Sequence, residues 1–103
     1  MIPVKLKNEM ASDPFYEKCC ITGVRNCKIE WHHNLIFQGR QVQEKECILP
    51  VSPEIHDKAR AREMRERLDY VMLKRMSKEQ IVKYSKAVNL AQRLKYLEEK
   101  LSP

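Results

Sequence analysis

The chain of 103 residues has no apolar run of membrane length, no CxxC pair and only three histidines, His32, His33 and His56. The first absence excludes a transmembrane helix, which needs about 20 consecutive apolar residues. The opening Met1-Ile2-Pro3-Val4-Lys5 is too short and too quickly charged for an export signal, so an intracellular, cytoplasmic protein is expected, with no membrane partner. In that setting Cys19, Cys20, Cys27 and Cys47 are expected to be thiols, although their even number would suggest disulfides in a secreted chain. These four could hold a structural zinc. The adjacency of Cys19 and Cys20 and the missing CxxC spacing fit buried, inert thiols better.

What is present describes one globular domain over residues 1–103. Hydrophobic residues make up 43% and charged residues 33%, a globular balance rather than a disordered one. The net charge of +6 favours an acidic polymer as partner, and it is unevenly placed. Residues 1–51 hold seven Lys/Arg and six Asp/Glu, whereas residues 52–103 hold thirteen and eight. Lys58, Arg60, Arg62, Arg65 and Arg67 follow His56 directly. They read either as a solvated helix face laced with pairs such as Arg62/Glu66 and Glu63/Arg67, or as phosphate contacts.

Along the chain, Pro3 and Pro14 predict an extended or irregular lead-in over residues 1–18, with a turn at Asp13-Pro14-Phe15-Tyr16. Cys20-Ile21-Thr22-Gly23 reads as a brief strand ending in a turn. A second strand is predicted from Cys27 to Ile36, with Ile29 and Trp31 alternating against Lys28, Glu30 and His32. His33 then shares the Trp31 side. Residues 37–46 read as a polar connection to a returning strand, Cys47-Ile48-Leu49-Pro50-Val51. Ser52 as N-cap and Pro53 at the first helical position start a helix that carries His56 in its first turn. That helix is expected to reach about Lys74, since no Gly or Pro interrupts it. Ser77 and Gln80 fit a capping box for another helix, with the apolar stripe Ala87, Leu90, Leu94, Leu97 and Leu101. A helical hairpin and a homodimer seam would both bury this stripe. Tyr70, Tyr84 and Tyr96 read as helix packing rather than as platforms for stacked bases.

The histidines carry the chemistry. Imidazole is the commonest metal ligand and the side chain best matched to proton transfer near neutral pH. A strand ending in Trp31-His32-His33-Asn34, a loop, a short strand and a helix start at Ser52-Pro53-Glu54-Ile55-His56 would bring all three together. This arrangement resembles the HNH nucleases, whose fold is the ββα-metal motif. The resemblance spans roughly residues 19–60, and residues 31–56 carry its specific positions. Gly39-Arg40-Gln41-Val42 followed by Ile48-Leu49-Pro50-Val51 also resembles small HNH proteins of bacteriophages and prophages.

The resemblance implies an α+β fold. Its ββα-metal core, a short antiparallel hairpin plus a helix, would fill residues 19–60, with a helical extension over residues 61–103. It implies His32 and His56 as metal ligands and His33 as general base. The implied cofactor is one divalent ion, Mg2+ in the first place, with Mn2+, Ni2+ or Zn2+ as alternatives. The implied activity is hydrolysis of DNA leaving a 5′-phosphate, in a bacterial or phage-infected cell. Arg40, Lys58, Arg60, Arg62 and Arg65 would contact the DNA. Cys47 stands where the family usually has its middle asparagine, and the usual pair of zinc knuckles is missing. Trp31, Phe37 and the long helices must then support the fold. Two other classes fit the same residues: a non-catalytic nucleic-acid-binding or assembly module, and a helical interaction protein built on the leucine stripe.

Overall fold

The computed structural model describes residues 2–86 and 88–102, so Ala87 of the expected stripe lies outside the described residues. The chain opens on a helix, α1 (Val4–Ala11), where an irregular lead-in was expected. Pro3 stands just before the first turn, where its fixed φ and missing N–H cost nothing. Leu6 and Met10, four residues apart, supply the buried face. Asp13 precedes a proline and is therefore held extended, which ends the helical run. Its carboxylate accepts the Phe15 N–H at 2.9 Å and starts a 3-10 turn over Pro14–Glu17. The buried Tyr16 hydroxyl then meets the Lys45 and Ile48 carbonyls, and Arg75 donates to it at 3.0 Å.

The segment Cys20–Gly23 forms turns rather than a strand, with Gly23 in the left-handed region at φ +76°. The Cys20 N–H nevertheless donates to the Pro50 carbonyl at 2.9 Å and so covers part of a sheet edge. That sheet is an antiparallel pair of β1 (Glu30–His33), shorter than the predicted 27–36 strand, and, further along the chain, the returning strand Ile48–Val51. His32 lies opposite Leu49, and His33 opposite Ile48. Between them, Ile36–Phe37 (β2) and Arg40–Gln41 (β3) make a second hairpin inside the supposed polar loop. Its two-residue turn needs two positive φ angles, taken by Gln38 at 53° and Gly39 at 77°. The returning strand Ile48–Val51 is β4, and all of its residues are buried because both of its faces are covered. Ile48 packs with Leu6, Met10 and Tyr16, while Leu49 and Val51 enter the larger helical core.

After β4, the local chemistry sets the start of α2 (Pro53–Asp57): the Ser52 hydroxyl accepts the Ile55 N–H. The expected helix to Lys74 is broken. Residues 58–61 form a turn before α3 (Arg62–Arg75), although no Gly or Pro stands there. The break is set by packing, because Ile55 and Ala59 on one segment and Leu68, Met72 and Leu73 on the other all bury into a single core. The Ser77/Gln80 capping box starts α4 (Lys78–Lys83) as expected. The Asn89 side chain caps a separate α5 (Leu90–Leu101) by accepting the Gln92 N–H. Leu90 and Leu97 are buried, Leu94 and Leu101 are partly buried against the same core, and α5 packs on α3.

The architecture is mixed α+β, a small antiparallel sheet with helices on both sides. None of the described helices is long and apolar enough to cross a membrane. The expected Arg62/Glu66 and Glu63/Arg67 pairs are absent among the described residues. Glu66 is buried and instead reaches across to α5, where Lys100 donates to both of its carboxylate oxygens at 2.9 and 3.0 Å.

Candidate active site

Side chains alternate along β1, so Glu30 and His32 face α2, while Trp31 and His33 share the Ile48 face. The start of α2 lifts His56 toward the first pair. The His32 and His56 rings meet edge to face with centroids 5.2 Å apart. The two histidines expected to be ligands are thus brought together from a strand and a helix. His33 ends the same strand on its other face.

Each ring is held by a partner that sets which nitrogen stays open. His56 Nδ1 lies 2.8 Å from the Glu30 carboxylate, which accepts its proton and leaves Nε2 as the free lone pair. His32 Nε2 lies 3.2 Å from Asn34 Oδ1. The Asn34 amide is itself oriented, because its Nδ2 donates to Asp69 at 2.9 Å. Asp69 in turn is gripped by Arg93, whose Nε and Nη2 stand 3.0 and 2.9 Å from its second oxygen. With Nδ2 committed to a carboxylate, Asn34 must present its carbonyl oxygen, so His32 carries its proton on Nε2 and keeps Nδ1 open. Burial, and next the neighbouring His56, hold the His32 pKa below its ordinary value and favour the neutral ligand form.

His33 is oriented in the same way. Its Nε2 lies 3.2 Å from Gln43 Oε1, which leaves Nδ1 as the proton acceptor when Nε2 donates. The loop carrying Gln43 is tied down without an asparagine at position 47. The Cys47 side chain is fully buried, and burial pushes its thiol up to about 12. Its backbone carbonyl accepts the Asn34 N–H at 2.9 Å. Gln80 adds bonds to Glu44 and Glu46 at 2.7 and 2.8 Å, and the Tyr84 hydroxyl reaches Glu44 as well.

Family models, curated proteins and solved structures all return no match to this chain.

Two imidazoles with open nitrogens fit a divalent ion that keeps several positions for water and substrate. They do not make a closed structural site, since among the described residues no three His, Cys, Asp or Glu side chains converge. The four cysteines weighed as zinc ligands, Cys19, Cys20, Cys27 and Cys47, are not among such a group. All four are free thiols, and Cys19 and Cys47 are committed to the apolar core.

The expected DNA contacts separate into three places. Arg60, Arg62 and Arg65 are exposed around the start of α3 and have no acidic partner within 4.0 Å among the described residues. Lys58 is also exposed but pairs with Glu54 at 3.2 Å, a surface contact that costs little to exchange for a phosphate. Arg40 sits apart on β3, beside a cavity that Gln43 also lines. Glu30, Asn34, Gln43, Asp69 and Arg93 were not singled out from sequence as positioning residues. Only Asn34, adjacent to the histidines, offered a local signal.

Proposed function

We propose that the protein is a metal-dependent HNH-type endonuclease that hydrolyses phosphodiester bonds in DNA. The observation that supports it best is the meeting of His32 and His56 across strand and helix, each with an opposite ring nitrogen held by its own acceptor. When bound by His32 and His56, a divalent ion would supply Lewis-acid stabilisation of the phosphate and the departing 3′ oxygen. His33, at the end of β1, takes the proton of the attacking water on Nδ1 while Gln43 steadies Nε2. The bond broken is phosphorus to the 3′ oxygen, which leaves a 5′-phosphate. Arg60, Arg62 and Arg65 neutralise the neighbouring phosphates, an affinity that weakens as salt rises.

The test is incubation of the full chain with supercoiled plasmid and Mg2+, Mn2+ or Ni2+, beside a His33→Ala variant. Cleavage by the parent that falls at least about a hundredfold in the variant is expected. Cleavage no greater than that of the variant, with all three ions, would remove the nuclease reading and leave a nucleic-acid-binding module.

A further inference from the structure

A groove of about 920 Å³ begins beside the histidine site and runs between the β2–β3 hairpin and helices α3 and α5. Asn34 joins the two regions: it lines the groove and also meets His32. The chain around the start of α3 lines it with three unpaired cations, Arg60, Arg62 and Arg65, and α5 lines it with Tyr96, while Phe37 and Tyr84 pack edge to face on each other at its hairpin side. Tyr96 remains 45% exposed, and Ile36 at the rim is 58% exposed. Lys100 lies over the Tyr96 ring at 5.7 Å from its centroid. The acids in the groove, Glu66 and Asp69, are already neutralised by Lys100 and Arg93.

Fixed positive charge beside the accessible Tyr96 ring suits a strand whose bases are unstacked, since phosphates meet the arginines and a base covers the ring. Paired DNA presents no base faces, and a concave pocket of this size holds a molecule on the scale of one or a few nucleotides. We propose that this groove takes an unpaired stretch of the DNA strand next to the phosphodiester, so that the substrate class is DNA carrying a single-stranded segment. This rests on the nuclease reading, because the groove acquires its meaning from the site it adjoins.

Binding can be read without cleavage. The full-length His33→Ala variant, in chelator and without divalent ions, is titrated by fluorescence anisotropy into three labelled DNAs: fully paired, gapped and single-stranded. The gapped and single-stranded forms are expected to bind at least tenfold more tightly than the paired form. Adding Tyr96→Ala should weaken single-strand binding about tenfold, while Tyr96→Phe, which keeps the ring, should not. Changing both Arg62 and Arg65 to Ala should flatten the slope of log affinity against log salt by about 1.4. Equal or tighter binding of the paired form, or full affinity in Tyr96→Ala, would overturn the proposal. Since no cutting is involved, these outcomes are separate from those of the plasmid assay.

Discussion

Replacing Asn34 by alanine isolates the one side chain that links His32 to α3 and α5, because the Asn34 backbone bond to Cys47 is untouched. Three bonds are lost, one to the imidazole, one to Asp69 and a weaker one to the Met72 sulfur at 3.5 Å, and Asp69 keeps its grip on Arg93. The lost acceptor favoured protonated His32, so removing it should lower that residue's titration midpoint further. The bond is made by neutral and protonated His32 alike, so only its extra strength to the charged ring enters the midpoint. Loss of an orienting partner also costs a metal-binding histidine about 10- to 100-fold in affinity. Imidazole titration by NMR would read the first effect, and calorimetry with Mn2+ or Ni2+ the second. An unmoved His32 midpoint together with metal affinity within twofold of the parent would refute the idea that Asn34 positions this ring.

Two further outcomes follow from packing and protonation. Leu97 is fully buried between α5 and the core, so Leu97→Ala should destabilise the fold by about 2–5 kcal/mol, measured by urea unfolding. A change below about 1 kcal/mol would show that α5 is not docked as described. His32 has a lowered pKa in the folded chain, so as pH falls through the ordinary imidazole range the unfolded chain takes up the proton first. Its contribution to stability should therefore decline below about pH 6.5 and level off beneath the folded midpoint. A His32→Gln variant should lack that part of the decline, and identical pH–stability profiles for parent and variant would contradict it.

The parts of the fold that were legible in sequence are those written in local chemistry. Ser52 before Pro53, and Ser77 three residues before Gln80, announce their helices through bonds to their own first turns. The apolar run of β4 reads as a strand because both faces are covered. Helix α1 was missed because its order comes from Leu6 and Met10 packing on a strand some forty residues away in the chain. The break at residues 58–61 carries no Gly or Pro and is imposed by the core. At the site, the three histidines were visible as residues, but their orientation was not. Asn34 to Asp69 spans 35 residues and Asp69 to Arg93 spans 24, so no spacing rule connects them. The separate α4 and α5 were recoverable in principle from Asn89, whose side chain is a good helix cap.

The line from Arg93 through Asp69 and Asn34 to His32 has a thermodynamic corollary. Docking of the C-terminal helix and occupancy of the histidine pair share one set of bonds, and linkage between them must be reciprocal. Whatever free energy α5 contributes to holding His32 ready is returned when a ligand fixes that ring. Amide exchange along Leu90–Leu101 then becomes a remote gauge of the site, slowing as the histidines are engaged although no residue of the helix touches them.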